Sequence, residues 1–157
     1  MHISTVTLPE MKLAGLPLAG PASVLETDMP DVWNDFIARE QELGQASELR
    51  YGVSLHDKDG MRVECVATEV ADLNNLPPGM IGIRIPERRY AMLTHRGPMA
   101  QARVQATYLT GYAAIEQLGM VQDDEGWRLE RYDRRYMPTV HDGARQDNAY
   151  DILIPLL

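Results

Sequence analysis

The sequence predicts an α+β domain built by pseudo-symmetric duplication of a βαββ unit, with antiparallel sheets, two helices on one face and a ligand cleft between the halves. Three observations carry this. First, "LPEMKLAGLPLAGP" (8–21) aligns without a gap over "IPERRYAMLTHRGP" (85–98), with six of fourteen positions identical: Pro9/Pro86, Glu10/Glu87, Ala14/Ala91, Leu16/Leu93, Gly20/Gly97 and Pro21/Pro98. Second, the stretches on either side of this match follow the same order in both halves. Third, one repeat of about half the chain (roughly 1–72 and 79–157) fits a two-lobed domain, since a solenoid needs shorter and more numerous units. At 157 residues the chain has single-domain size and buries a core without help from a metal or disulfide, so 1–157 is read as one domain.

Residues 2–8 and 12–18 alternate as strands around the Pro9-Glu10 break, and 80–85 and 89–95 do likewise. Each Gly-Pro then ends its strand and a helix follows. The first helix is expected to start near Asp28 and Pro30, an N-cap and first-turn pair, and to carry Trp33, Phe36, Ile37 and Leu43 on one stripe. The second runs from Met99 to Leu118, with Val104, Tyr108, Ala114 or Ile115, and Leu118 at helical spacing, and Gly119 stops it. Two strands follow each helix: "LRYGVSLH" and "MRVECVATEV" across a "DKDG" turn, then "WRLERYD" and "AYDILIPLL" across a longer loop. "DLNNLPPG" (72–79) reads as the hinge between halves, and Pro155 implies an edge or bulge in the last strand.

The stretch "WRLERYDRRY" (127–136) poses the functional question, because it alternates like a strand yet carries six charged side chains. Its parity puts Trp127 and Leu129 on the helix side and turns Arg128, Glu130 and Tyr132 to the other face, where the halves meet. The 77-residue spacing sets Tyr51 opposite Arg128, Val53 opposite Glu130 and Leu55 opposite Tyr132. Glu130 either pairs with Arg128, Arg131 or Arg89 as a strand-surface ion pair, or faces the cleft.

Composition narrows the function. A net charge of −8 argues against a phosphate backbone as partner, although ten of the thirteen arginines lie between Arg84 and Arg145. Cys65 is alone, which rules out an intrachain disulfide and fits a small buried side chain. The N-terminus has no apolar leader, and the longest uncharged run, Leu13 to Leu25, is broken by Pro17 and Pro21, so neither a signal peptide nor a membrane span is expected. A cytoplasmic protein follows. His2, His56, His95 and His141 lack metal-ligand spacing, and neither a nucleophile elbow nor a phosphate-cradling glycine loop is present, so no metal and no cofactor is expected.

The segment "IPERRYAMLTHRGP", a helix, then "RLERYD" and the final "YDILIPL" together resemble the GyrI-like family, small-molecule-binding domains also found as effector-binding halves of AraC-type and MerR-type bacterial regulators. The resemblance covers nearly the whole chain. It implies two βαββ halves around a cleft that takes up hydrophobic, often cationic compounds. It assigns the ligand-facing glutamate of a "P-x-x-E-x-Y"-like segment to Glu130, and an aromatic wall residue opening the last strand to Tyr150. The sequence departs from the family with Met99 after the second Gly-Pro, where an aromatic is common, and with Leu55 and His56 in "YGVSLHD". The repeat leaves no stretch of these residues for a helix-turn-helix, so a stand-alone member without direct nucleic-acid binding is expected.

A glutamate in an aromatic cleft costs several kcal/mol to desolvate, and a cationic guest relieves that cost while ring faces add ~0.5–2 kcal/mol each. The ligand-binding candidates are therefore Glu130, Tyr150, Tyr51, Tyr112, Trp33 and His95; taken singly, the tyrosines and Trp33 also suit a core, and His95 a surface. Two further readings stay open. One is a hydrolase of electrophilic small molecules, with Glu130 as catalytic general acid or base and His95 as its proton-transfer partner. The other is a protein-interaction module such as a gyrase modulator, working through an outer surface.

Overall fold

The computed structural model describes residues 1–44 and 47–157. The elements are β1 (Ser4–Leu8), β2 (Met11–Pro21), α1 (Ala22–Arg39), a 3-10 turn (Glu40–Leu43), β3 (Arg50–Lys58), β4 (Met61–Glu69), β5 (Ile81–Ile85), β6 (Arg88–Arg96), α2 (Gln101–Gln117), β7 (Arg128–Tyr132) and β8 (Ala149–Pro155). This is the duplicated βαββ order, each half preceded by an extra short strand. All strands join one antiparallel sheet in the order β1-β6-β8-β7-β3-β4-β2-β5.

That order is a palindrome of the two halves. β3 and β7 meet at its centre, and the short strands are exchanged: β1 completes the second half beside β6, while β5 completes the first beside β2. Neither half is therefore a finished sheet by itself. At the central seam Gly52 pairs with Glu130, Val53 with Leu129 and Tyr51 with Arg131.

Both faces of the sheet are buried. On the helix face, Trp33 and Phe36 of α1 and Ile115 of α2 pack on Val66, Leu93, Tyr132, Tyr150, Ile152 and Ile154. On the opposite face no helix packs among the described residues, yet Leu13, Tyr51, Val53, Ile83, Tyr90, Leu129 and Leu153 form a second dry core. A sheet buries such a face without another layer only by curling on itself, as right-handed twist accumulated over eight strands allows.

This second core corrects the strand parity expected for β7. Leu129 and Trp127 belong to the curled face, whereas Glu130 and Tyr132 lie on the helix side. The 77-residue offset holds for β1/β5 and β2/β6 but grows by one residue between β3 and β7, because the helix connections differ in length. A one-residue slip inverts every side chain of a strand, so Gly52 rather than Val53 stands opposite Glu130.

Two other boundaries differ from expectation. α1 starts directly after Pro21, so Pro30 sits inside it and frees a backbone carbonyl one turn earlier. Pro155 lies on an internal strand, but past the end of its pairing with β7, so the edge it needs is local. The "DKDG" turn has Asp59 and Gly60 both at positive φ, as a two-residue hairpin turn requires. Among the described residues no helix is long and apolar enough to cross a membrane.

Candidate functional site

A cavity of about 400 Å³ opens on the helix face over the central seam. α1 supplies Leu25, Met29, Pro30 and Trp33 to its wall, while Met99 enters from the loop before α2 and Val104 from the first turn of that helix. The sheet contributes Glu130 and Tyr132 from β7, Tyr150 from β8, and Glu64 with Arg62 from β4, while Tyr136 and Pro138 close it from the β7–β8 loop. The volume suits a drug-sized guest, and the lining is an apolar and aromatic majority with a few charged groups.

Gly52 is part of the floor. A Cβ built on it would stand 3.5 Å from Glu130 Oε2 and 3.8 Å from the Tyr132 ring, so the missing side chain leaves the space directly beside the carboxylate. Alternation along β7 places Glu130 and Tyr132 side by side on this face, and β8 brings Ile152 opposite Glu130.

Phenols, not cations, hold the Glu130 carboxylate. The Tyr108 hydroxyl donates to Oε1 at 2.6 Å, and the Tyr132 hydroxyl donates to Oε2. Among the described residues no ion pair reaches Glu130. Arg128 turns instead to Glu64, and Arg131 to Asp151. Burial first, and the charge of Glu130 second, push the Tyr108 and Tyr132 hydroxyls well above the ordinary phenol range, so both remain donors at any physiological pH. Tyr150 is raised by the same two causes. Tyr132 anchors the aromatic wall, with its ring 5.2 Å from Trp33 in an edge-on contact, 4.9 Å from Tyr150 and 6.2 Å from Tyr136.

The far side of the cavity is polar. Arg62 donates to Glu64 Oε1 at 2.9 Å, and the Arg128 guanidinium, 3.9 Å from the same oxygen, lies over the Tyr108 ring at 5.0 Å. Burial and then the nearby charge of Glu130 push the Glu64 carboxyl up to about 7, against the pull of Arg128 and Arg62.

Of the residues singled out from sequence, Glu130, Tyr150 and Trp33 come together around this cavity. Tyr51 does not: it sits on the curled face, buried, with its hydroxyl donating to Glu69 at 3.2 Å. Burial lifts that hydroxyl to about 12. Tyr112 lines a neighbouring groove of about 320 Å³, with Trp127 and Arg128, and its ring lies 6.2 Å from Tyr108. His95 is buried rather than exposed, its ring 5.5 Å from Tyr150. Its Nε2 lies 3.1 Å from the Pro98 carbonyl, which only accepts, and its Nδ1 lies 2.7 Å from Thr107 Oγ1. Both ring nitrogens are thus occupied in tying β6 to α2.

The candidates named from sequence leave out Tyr108, Glu64 and Gly52, and also Tyr132, although it was placed on one face with Glu130. Tyr132 was visible as the residue two places after Glu130 on one strand face, but Tyr108 reads as an ordinary member of an apolar helix stripe. Glu64 and Gly52 join the site only through the register of β4, β3 and β7. Among the described residues no group of three or more His, Cys, Asp or Glu side chains is placed to hold a metal ion.

With this geometry in view, the relatives fall into place. The transcriptional regulator BrlR of Pseudomonas aeruginosa is 24% identical over 149 residues, covering 94% of this chain and 54% of BrlR, so the chain spans about half the length of that relative. The tetraphenylphosphonium-bound structure of SAV2435 superposes with a TM-score of 0.72 at 14% identity, over 100% of this chain and 94% of that one. The EcmrR C-terminal domain does so with a TM-score of 0.70 at 17% identity, over 99% and 97%. At these identities the structural likeness is one of fold. The family model for the GyrI-like small molecule binding domain matches residues 1–157, from the first strand to the last, and the chain belongs to that family.

Proposed function

We propose that this protein captures hydrophobic cationic or aromatic compounds in the cavity between α1, α2 and the β3–β7 seam, for sensing or sequestration, with Glu130 as the countercharge. One observation carries the reading: a carboxylate faces an aromatic-lined cavity, and its described partners are two neutral phenols rather than a cation. Such an anion is oriented by hydrogen bonds, and although the nearby Arg128 feels its charge, no ion pair among the described residues closes on it, which leaves room for a cationic guest. The rings of Trp33, Tyr132, Tyr136 and Tyr150 offer apolar area and cation–π contact to the same guest. A fold relative bound to tetraphenylphosphonium, a hydrophobic cation, supports the choice of ligand class.

Fluorescence titration with tetraphenylphosphonium tests this. Saturable binding is expected, and Glu130→Gln should weaken it about tenfold, ~1.4 kcal/mol. Binding that is absent, or indifferent to Glu130→Gln, refutes the assignment.

A further inference from the structure

Glu130 shares its cavity with a second carboxylate. Glu64 on β4 enters from the other side of β3, where Ser54 is flanked by Glu64 on one neighbouring strand and Arg128 on the other. Gly52 and Glu130 form the adjacent pair on the same face. Between the two glutamates the strand floor is a glycine and a serine, with the Arg128 guanidinium, 3.9 Å from Glu64 Oε1 and over the Tyr108 ring, on the β7 side. Both arginines near Glu64 approach Oε1, and among the described residues the hydrogen bond to its carboxylate is Arg62's alone.

We propose that Glu64 is a second cation-anchoring residue of this cleft, so that the guests it holds best are flat aromatic dications with one positive centre for each glutamate. This deepens the ligand-capture reading and rests on it. Two carboxylates in one cavity repel, and Arg62 answers Glu64 through Oε1, so that among the described residues Oε2 accepts no hydrogen bond and stays open to a second positive centre. The charged groups that act on Glu64 are Arg62 on its own strand and Glu130 and Arg128 from β7, while Glu26 from α1 and Tyr150 from β8 line the same cavity. Because burial and Glu130 hold the Glu64 carboxyl at about 7, its charge is more fully developed at pH 8 than at pH 6.

Titration calorimetry with two probes of nearly the same shape tests the proposal: methyl viologen, with two quaternary nitrogens on linked rings, and N-methyl-4-phenylpyridinium, with one. Wild type at pH 8 should prefer methyl viologen by about tenfold. The preference should shrink at pH 6 and vanish in Glu64→Gln. Glu64→Asp, which keeps the charge but withdraws it by one methylene, should fall between; it serves if thermal melting shows that Glu64→Gln does not fold. Equal affinity for the two probes in wild type, or a preference that survives Glu64→Gln, overturns the proposal. Tetraphenylphosphonium, titrated into wild type and Glu130→Gln alongside, separates the two failures. A normal response there with no dication preference sinks only the role of Glu64, whereas no response sinks ligand capture itself.

Discussion

Gly52 shows how much one missing side chain decides. It sits in a strand, where glycine costs stability, yet a Cβ at this place meets its neighbours at 3.5 Å or more, so the backbone does not demand it. What its absence provides is room beside Glu130. Gly52→Ala should therefore keep the fold and weaken tetraphenylphosphonium binding only about threefold, while Gly52→Leu should fill the floor and weaken it more than about tenfold, ~1.4 kcal/mol. Thermal melting beside the titration distinguishes occlusion from unfolding. An unchanged affinity in Gly52→Leu would place the guest elsewhere. Alternation marked Glu130 as a charge outside an ordinary core but left a strand-surface ion pair open, and it was the family resemblance that pointed it at a ligand. Gly52 was not legible, since its meaning depends on which residue of another strand it faces.

The elements are held in place around the site by groups that do not line it. His95 is the clearest case, being 1% exposed and bonded from both nitrogens to the loop and helix that follow its strand. Removing the imidazole strands the Pro98 carbonyl, leaves the Thr107 hydroxyl only the Arg103 carbonyl, and opens a void, so His95→Ala should lower stability by roughly 2–4 kcal/mol. Urea unfolding measures this, and at saturating protein stability (low temperature, no denaturant) tetraphenylphosphonium affinity should stay within about threefold. A collapse of affinity in a folded His95→Ala protein would make the histidine part of the binding machinery after all. Gly111 performs a related service on α2: a Cβ there would come within 2.6 Å of Leu93, so the helix lies close enough to the sheet for Tyr108 to reach Glu130. Strand periodicity and the Gly-Pro stops made the order of elements readable. The start of α1 was not, because Pro30 looks like a helix opening and proves to be an interior residue facing the cavity.

At the scale of the whole molecule, the doubling is what creates a site. The repeat was legible because Pro9/Pro86 and Gly20/Gly97 keep their spacing, but the exchange of β1 and β5 between halves leaves no local trace, as pairing partners lie about half the chain apart. Nor does periodicity reveal that the sheet curls over a second core, and that omission inverted the expected faces of β7. The seam that results gathers charge in a buried place, and its cost should appear in the stability of the entire fold. A carboxyl whose folded pKa is raised holds its proton more tightly in the native state than in the unfolded one. Glu64, lifted from 4.5 to about 7, therefore contributes stability that is fully present below pH 4.5 and is lost as pH rises through about 7. The full shift corresponds to roughly 3 kcal/mol as an upper bound, since a partly accessible cavity softens it. The opposing carboxylates Asp123, Asp133 and Asp151, held low by arginine partners, lose their contribution only when pH falls below the ordinary aspartate range, so they do not mask this window. Urea midpoints of wild type should thus decline between pH 5 and pH 8, whereas Glu64→Gln, with no proton to lose, should show a flatter profile. A ligand-free wild type whose stability is level across that range would mean that the cavity hydrates Glu64 freely, and that its two arginines already settle its charge.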